Sequence, residues 1–388
     1  MRYISLVFVF PIVFLSGCAH QTAVAPLPGI GTTATTSALV SPAATFKLLY
    51  TFKSRPDASK PEARLTALDG ALYGTTRYGG TDDVGAVFEL KTDGTEKVLH
   101  SFALHYFDGQ APLTGLVPRN GALYGATHGG GTKGTGIFYE IKRDGTLTIL
   151  HNFVSATGSY PVGELFSLGS SFYGVTSNGG SHDLGTVYSI TASGHYTLMH
   201  SFAGGTDGAR PEGGLELVNH HFYGTTSEGG ANNFGTVYEI APDGTEKVIY
   251  SFTYANGDGG TPEAELVALN GALYGTTFRG GLGGTIFEVK RGGAERVVHS
   301  MGQGEGRHLW GLTAFNGALY GTAARGGSKD HGTIFEVKPD GTFTLLHTFG
   351  IKDGSEPRAS LLVHNGKLYG TTANGGTSYK GVVFEVTP

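Results

Sequence analysis

The chain has few cysteine and tryptophan residues and no cluster of basic residues, and these shortages exclude several kinds of site and ligand. Cys18 is its only cysteine, so the rest of the chain can form neither disulfide bonds nor cysteine-ligated metal sites. Tryptophan occurs only at Trp310, and no second long apolar run follows the one at the N-terminus. The 27 Lys and Arg residues are scattered and the net charge is −5, whereas a nucleic-acid binder carries a basic stripe. We therefore expect no nucleic-acid ligand.

Glycine, by contrast, is abundant, and this abundance limits the fold class. The chain contains 65 glycines in 388 residues, whereas average usage is about 7%. Glycine costs about 1 kcal/mol in a helix interior relative to alanine, and it recurs too often after residue 46 to allow a long helix. The composition predicts an all-β protein with many tight turns.

Residues 1–18 are typical of a bacterial lipoprotein signal peptide. Arg2 precedes an apolar run that is shorter than the roughly 20 residues of a membrane-spanning helix. The run ends in Leu-Ser-Gly-Cys at positions 15–18, which resembles a lipobox, so we expect Cys18 to carry the lipid and begin the mature protein. An ordinary secretory signal is the alternative. Ala19 rather than Asp follows the cysteine, which favours the outer membrane of a host that has one.

The segment after the signal peptide has the composition of a linker. Positions 21–45 contain Ala, Thr, Pro, Ser and Gly but no charged residue, and such a segment cannot bury a core. We expect residues 19–45 to form a flexible tether and residues 46–388 to form the folded domain. The predicted partner at the N-terminal end is a membrane, reached through the lipid at Cys18.

A unit of about 50 residues is repeated seven times in the folded part. Its core is Leu-Tyr-Gly-Thr-Thr or a near variant, and the tyrosines are spaced by 46 to 51 residues. A Gly-Gly pair follows six and seven residues after every tyrosine, and a Gly-x-Val/Ile-Phe/Tyr segment comes next. The seven tyrosines are Tyr73, Tyr124, Tyr173, Tyr223, Tyr274, Tyr320 and Tyr369. A repeat of this length indicates one structural unit per copy.

Each unit predicts four short strands, which is the content of a propeller blade. Pairs such as Asp69-Gly70 and Asp93-Gly94 are typical of two-residue hairpin turns, because they accept positive φ. The seventh copy stops after its third strand, and a segment like the missing fourth strand, Leu49 to Phe52, occurs before the first copy. The sequence therefore predicts an all-β, seven-bladed β-propeller in which an N-terminal strand completes the last blade.

The combined motif Leu-Tyr-Gly-Thr-Thr-x-x-Gly-Gly, followed by Gly-Thr-Val-Phe-Glu, resembles the GloVer tandem-repeat proteins. These are bacterial propellers with a choice of surface anchors. The resemblance covers residues 46–388, because all seven copies carry the motif. It implies an exported, anchored propeller and no particular chemistry. Kelch propellers are disfavoured because they need one tryptophan per blade, and this chain has Trp310 alone.

Turn lengths separate the two faces of the predicted propeller. Short hairpins join strands 1–2 and 3–4, whereas the 2–3 loops and the 4–1 connections are longer and must share the opposite face. Binding residues usually lie on such loops. Large groups stand there at positions where other copies carry small ones, and we expect these residues to bind a ligand by stacking and by arginine hydrogen bonds. They are Arg77, Tyr78, His128, Arg279, Trp310 and Arg325.

Two sets of repeated polar residues are better explained by structure than by chemistry. Five histidines occupy the same position of the fourth strand, so the ring separates them too widely for a shared zinc ion. The aspartates of the 4–1 connections are expected to bond the backbone of their own turn rather than calcium. The histidines are His100, His151, His200, His299 and His347, and the aspartates are Asp57, Asp108, Asp207, Asp258 and Asp353. We expect no metal and no cofactor.

Three functions remain open on the sequence alone. The first is a monomeric, lipid-anchored binding module of the cell envelope for a polysaccharide or a protein. The second is a lyase or hydrolase that works at the mouth of the central channel, although no nucleophile-base pair or carboxylate pair can be located. The third is a structural envelope protein. The fold cannot decide among them.

Overall fold

The computed structural model describes residues 44–53, 55–104 and 107–388. The predicted signal peptide, Cys18 and residues 19–43 of the predicted tether lie outside these ranges. The described residues belong to one compact unit. They contain no helix that is long and apolar enough to cross a membrane.

Seven antiparallel sheets confirm the seven-bladed propeller; six have four strands, and that of blade 4 has the additional short strand Ala209–Pro211. Strand 1 of each blade lies nearest the central axis, where it contacts strand 1 of a neighbouring blade. The strand 1 segments are Thr66–Leu68, Val117–Arg119, Ser159–Leu168, Glu216–Val218, Val267–Leu269, Arg307–Phe315 and Leu362–His364. The strand 2 segments are Ala71–Thr76, Ala122–Thr127, Ser171–Asn178, His221–Glu228, Ala272–Thr277, Ala318–Arg325 and Lys367–Thr372.

The outer half of each blade consists of strands 3 and 4. The strand 3 segments are Ala86–Lys91, Ile137–Ile141, Thr186–Thr191, Thr236–Ile240, Thr285–Val289, Thr333–Val337 and Val382–Thr387. The strand 4 segments of blades 1 to 6 are Glu96–Ser101, Leu147–Asn152, Tyr196–Ser201, Glu246–Ser251, Glu295–Ser300 and Phe343–Thr348. Shorter pieces lie in the loops: Ala58–Ser59, Tyr78–Gly79, Ala209–Pro211 and the 3-10 turn Gly205–Asp207.

The N-terminal strand completes blade 7, as the sequence predicts. Thr45–Thr51 pairs antiparallel with Val382–Thr387, with Thr45 opposite Thr387. The Phe52 amide donates to the Gly381 carbonyl at 3.1 Å, and the Lys60 amide donates to the Lys380 carbonyl at 2.8 Å. Backbone hydrogen bonds therefore join the first described residues to the last blade and close the ring.

The repeated glycine of Leu-Tyr-Gly makes room for an aromatic ring on the neighbouring strand. A methyl group at Gly275 would lie 2.5 Å from the Phe287 ring and 2.8 Å from Leu266, both of which are buried. The same relation holds in every blade between the strand 2 glycine and the strand 3 aromatic residue. These residues belong to hydrophobic clusters that lie between adjacent blades, so the repeat motif stabilises the ring.

The repeated proline and the strand 3 glycine form a second contact between blades. A methyl group at Gly85 of blade 1 would lie 2.5 Å from Pro112, which leads into blade 2, and Gly381 meets Pro61 in the same way. The residue before the proline is left-handed, with φ of 48° at Ala111 and near 55° in its counterparts. Its amide donates to the Val84 carbonyl of blade 1 and its carbonyl accepts from His128 of blade 2. These two hydrogen bonds offset the roughly 1–2 kcal/mol cost of that conformation.

The face that carries the 1–2 and 3–4 turns, here called the hairpin face, differs from the sequence expectation in one detail. The 1–2 turns are two-residue turns with positive φ at both positions in six blades, as at Asp69 and Gly70, and at Gly169 alone in blade 3. The 3–4 turns are three residues long, because the Lys91 amide bonds the Thr95 carbonyl and the Gly94 amide bonds the Lys91 carbonyl. Both patterns are short, so this face still offers less surface relief than the loop face, which carries the 2–3 and 4–1 loops.

Candidate functional site

The central axis holds a cavity of about 150 Å³ on the loop face. Its wall consists of the residue that follows the inter-blade proline or its equivalent, one from each blade: Glu62, Leu113, Val162, Glu212, Glu263, Trp310 and Arg358. The next two residues of several blades form its floor, including Glu164, Glu265 and Ser360. The cavity is therefore built from the short segments that lead into strand 1, so the rigid blades fix its shape.

Two glutamates of the floor lie across neighbouring blades instead of pointing outward. Glu164 of blade 3 lies against Gly115 of blade 2 and accepts a hydrogen bond from the Arg64 amide of blade 1 at 3.1 Å. Glu265 of blade 5 lies against Gly311 of blade 6. Burial, and secondly the charge of Glu265, raises the pKa of Glu164 to about 7. The floor therefore holds two carboxyl groups of which one is readily protonated.

On one side of the cavity the charges are paired in a continuous chain. Arg325 bonds Glu356 at 2.6 Å, and Arg358 bonds the other oxygen of Glu356 at 2.7 Å. Arg358 also lies 3.4 Å from Glu62, which lies 3.3 Å from Arg77. These five side chains belong to blades 6, 7 and 1, and each has an oppositely charged partner within the chain of ion pairs.

The opposite side of the cavity has an excess of negative charge. Among the described residues, Glu212 of blade 4 and Glu263 of blade 5 form no ion pair within 4.0 Å. Burial, and secondly the charge of Glu263, raises the pKa of Glu212 to about 7. Burial also raises the pKa of Glu263, opposed by the charge of Arg279. Two partly buried carboxyl groups without a fixed cation therefore lie in the same cavity as Trp310.

A polar cleft extends from this side of the cavity between blades 4 and 5. It has a volume of about 460 Å³ and shares Glu212 and Glu263 with the central cavity. Arg210, Glu228 and Arg279 also line it, and Arg210 lies 3.3 Å from Glu228. The cavity and the cleft together form an extended groove from the central axis toward the rim.

The six residues predicted from the sequence all lie on the loop face, but only two line these depressions. Trp310 forms part of the cavity wall and Arg279 lines the cleft. His128 packs against Tyr160 in a tilted arrangement with ring centroids 5.1 Å apart, and burial, followed by the charge of Arg77, lowers the pKa of His128.

The other three predicted residues contact one another or the paired chain of charges. Arg77 and Arg325 belong to that chain, with Glu62 and Glu356 as their respective partners. Tyr78 is 39% exposed, and the Arg77 guanidinium lies 5.5 Å from the centre of its ring. Their role in ligand binding stays a prediction.

Sequence reasoning missed the glutamates of the wall. The residue after the proline varies among the seven copies as strongly as the residues before Gly-Gly, from Glu to Leu, Val, Trp and Arg. This variation at a position on the loop face could have identified the wall residues from the sequence. The positions of Glu164 and Glu265 could not be found this way, because their side chains reach across blades that are neighbours only in the folded ring.

At the rim, aspartates of the 4–1 connections bond the backbone of their own turn, and several of them also meet a histidine of strand 4. Asp108 accepts a hydrogen bond from the Ala103 amide of its own turn at 2.9 Å, and His100 Nε2 lies 2.9 Å from its other oxygen. Asp353 makes the same two contacts with Gly350 and His347. The carboxylate therefore fixes the 4–1 connection against strand 4.

The raised pKa values predict that the folded state loses stability as the pH rises from 6.5 to 8.5. The pKa of Glu164, Glu212, Glu96 and Glu295 is raised to about 7, chiefly by burial. The folded state holds these protons more tightly than the unfolded state, so their contribution is complete near pH 4.5 and disappears as the pH passes 7. We expect a lower unfolding temperature at pH 8.5 than at pH 6.5.

A pair of variants checks the source of this dependence. Replacing Glu96 and Glu295 together by Gln should reduce the difference between the two unfolding temperatures. Glu385→Gln is the matched control, because Lys367 and Tyr369 hold the pKa of Glu385 below its usual range, despite partial burial. A chain whose unfolding temperature is the same at both pH values, or rises, would contradict the assignment.

Comparisons with known proteins agree with the repeat motif and the fold. A family model described as the Gloeobacter/Verrucomicrobia repeat matches residues 29–220 and 283–388. A search of curated proteins gives no match. Several solved structures share the propeller fold at low sequence identity.

Three of these structures illustrate how far the likeness extends. A puromycin hydrolase is 14% identical with a TM-score of 0.55, over 86% of this chain and 53% of that chain. A Bacteroides uniformis protein named as a candidate 6-phosphogluconolactonase is 17% identical with a TM-score of 0.50, over 81% and 95%. The quinohemoprotein alcohol dehydrogenase of Comamonas testosteroni is 11% identical with a TM-score of 0.50, over 88% and 76%. At these identities the likeness shows the fold alone.

Proposed function

The chain belongs to the Gloeobacter/Verrucomicrobia repeat family, and from that premise we propose that it is an envelope-anchored module that binds a protein segment on its loop face. The observation that carries the proposal is the pair Glu212 and Glu263 in the wall of the cavity that Trp310 also lines. Partly buried carboxylates without a fixed partner favour a ligand that brings a positive charge.

A lysine or arginine side chain fits this site in charge and in shape. Its cationic end can approach Glu212 and Glu263, and its apolar stem or the cation itself can pack on the Trp310 ring. Ser360, which is buried in the floor, has a hydroxyl with no hydrogen-bond partner among the described residues. That hydroxyl is a further group that a ligand can satisfy.

The cleft between blades 4 and 5 favours a protein segment over a small molecule. It continues the cavity for another 460 Å³ and contains both signs of charge, from Arg210 and Arg279 and from Glu228. A peptide that inserts a basic side chain into the cavity can place its flanking residues along this groove. Charges of alternating sign then select the flanking sequence.

An array of peptides and glycans tests the proposal. We expect the protein to bind lysine- or arginine-containing peptides, and to lose binding when lysine is acetylated. Replacing Glu212 and Glu263 together by Gln should weaken binding at least tenfold. Replacing Asp243 and Asp340 by Asn is the matched control, because it removes the same charge from exposed 3–4 turns. Binding to neutral glycans only, or equal loss in the control, would refute the proposed ligand class.

The second part of the proposal is the anchor at Cys18. It rests on the lipobox-like residues at positions 15–18, and it places the propeller in the cell envelope at the end of a tether of residues 19–45. A Cys18→Ser variant should leave the membrane fraction and become soluble, whereas wild type sediments with membranes. If the variant still sediments with membranes, another part of the chain provides the anchor.

A hydrolytic activity is the second candidate, and one observation favours it. Glu164 and Glu265 supply two carboxyl groups to the cavity floor, and the pKa of Glu164 is raised to about 7 by burial and by Glu265. A carboxyl group with a pKa near 7 beside a second carboxyl group suits general acid catalysis. The bond from the Arg64 amide to Glu164 favours a structural role instead. Turnover of glycosides or esters that Glu164→Gln abolishes would support the enzyme.

A further inference from the structure

The rim contains seven seams, each formed where strand 4 of one blade meets strand 4 of the next. Three positions meet at every seam: a residue near the end of the first strand 4, a residue of the following 4–1 connection, and a residue at the start of the next strand 4. The third position is Glu96, Leu147, Tyr196, Glu246, Glu295, Phe343 or Phe46 in the seven seams. The seven seams thus have the same geometry but carry different side chains at equivalent positions.

The seam between blades 3 and 4 brings an imidazole together with two carboxylates. His200 Nε2 lies 3.0 Å from Asp207 Oδ1, and one ligand atom from each of His200, Asp207 and Glu246 lies within 4.8 Å of the others. The second Asp207 oxygen accepts from the Ala203 amide at 2.6 Å, which holds the carboxylate in place. Glu246 Oε1 is buried and has no hydrogen-bond partner among the described residues.

We propose that His200, Asp207 and Glu246 bind a divalent metal ion of the zinc class, which joins blades 3 and 4. An imidazole nitrogen and carboxylate oxygens are ligands that zinc prefers, at about 2.0–2.2 Å from the ion. Four such ligand atoms around one ion lie roughly 3.4 Å from each other. The His200–Asp207 distance is already close to that value. The side chains of His200 and Asp207 are 19% and 20% exposed, so water can reach the fourth position.

The other seams show why this combination is distinctive within the described residues. Tyrosine replaces the histidine in two seams, where Tyr50 bonds Asp57 at 2.9 Å and Tyr250 bonds Asp258 at 3.0 Å beside a glutamate. A neutral phenol is a poor ligand for zinc at neutral pH. An aromatic ring replaces the glutamate in other seams, as where Phe343 stacks on His299. Each of these seams lacks one of the three ligands.

The strand 4 histidines of different blades lie in separate seams, so they do not share this site. The site combines one histidine, His200, with a carboxylate of its own turn and a carboxylate of the next blade. Glu246 is 46 residues from His200 in the sequence and reaches it only because the blades are adjacent in the ring.

The experiment is a titration of the metal-free full chain with zinc chloride, followed by calorimetry. We expect one zinc ion per chain and a higher unfolding temperature in its presence. His200→Tyr, which reproduces the residue of two other seams, should weaken zinc binding at least tenfold, and Glu246→Gln should do the same. His100→Tyr is the matched control, because Leu147 replaces the glutamate in that seam, and it should leave the affinity unchanged.

Cobalt substitution provides a second readout that does not depend on stability. Cobalt bound by nitrogen and oxygen ligands should give visible absorption bands in wild type and in His100→Tyr, and these bands should be absent in His200→Tyr. Zinc affinity that is equal in wild type, His200→Tyr and Glu246→Gln would overturn the proposal. The seam would then be a hydrogen-bonded cluster of one histidine and two carboxyl groups without an ion. Because tyrosine occurs at this position elsewhere in the ring, the variant is expected to fold.

Discussion

A chain that begins at residue 54 will fail to show the cooperative unfolding transition of a chain that begins at residue 44, or will unfold at least about 10 °C lower. The shorter chain lacks Thr45–Thr51, the strand that pairs with Val382–Thr387. It also lacks Phe52, which is fully buried, and Phe46, which stacks on His347 with centroids 3.9 Å apart. Full burial of Phe52 contributes roughly 1.5–3 kcal/mol, a large share of a typical net stability of about 5–15 kcal/mol, and the partly buried Phe46 adds to this contribution.

Thermal unfolding followed by circular dichroism compares the two chains. The chain that begins at residue 44 is the control, since it keeps the strand and every described contact of blade 7. Phe52→Ala in that chain should give an intermediate loss of about 3–5 kcal/mol. Equal unfolding temperatures for the two truncated chains would show that the ring does not depend on this strand.

Gly275→Ala will destabilise the propeller by about 1–3 kcal/mol, through overpacking rather than backbone strain. The added methyl group would lie 2.5 Å from Phe287 and 2.8 Å from Leu266, and both side chains are almost fully buried. Neither can move without opening the cluster between blades 4 and 5. Chemical denaturation of both proteins gives the free energy of unfolding directly.

Gly292→Ala is the matched control for this substitution. Gly292 lies in an exposed 3–4 turn, nothing lies within 4 Å of a methyl group placed there, and its φ is not in the left-handed region. We expect an effect within about 0.5 kcal/mol. If Gly275→Ala is as neutral as the control, the aromatic ring does not require the glycine, and the explanation of the Leu-Tyr-Gly motif is wrong.

The fold could be predicted because its determinants are local and repeated. Pairs such as Asn270-Gly271 define turns from the φ values they accept, and the interval between tyrosines gives the length of a blade. The closure of the last blade was also predictable, because Leu49 to Phe52 resembles the fourth strand that the seventh copy lacks. Turn length was less predictable: Lys91 and Thr95 bracket a three-residue turn where Asp93-Gly94 suggested two.

The candidate site was harder to predict because it depends on contacts between blades. Arg77 and Arg325 stood out as large groups, but the sequence did not reveal that Glu62 and Glu356 neutralise them. Conversely, nothing in the sequence distinguishes Glu212 from the other glutamates. Only the folded ring brings Glu212 and Glu263 into the wall of the same cavity. A one-dimensional comparison of repeats finds variable positions, but it does not show which charges remain without a partner.

The pH dependence of peptide affinity tests the cavity assignment most directly. Isothermal titration of the tightest-binding lysine peptide is carried out at pH 6 and pH 8 with wild type and with the variant in which Glu212 and Glu263 are both Gln. A cation favours the ionised carboxylate, and the pKa of Glu212 is raised to about 7, so we expect wild-type affinity to rise up to about tenfold between these pH values. The variant should bind weakly and show no such rise. Wild-type affinity that is constant or falls with pH, or a variant that binds as tightly as wild type, would contradict the account.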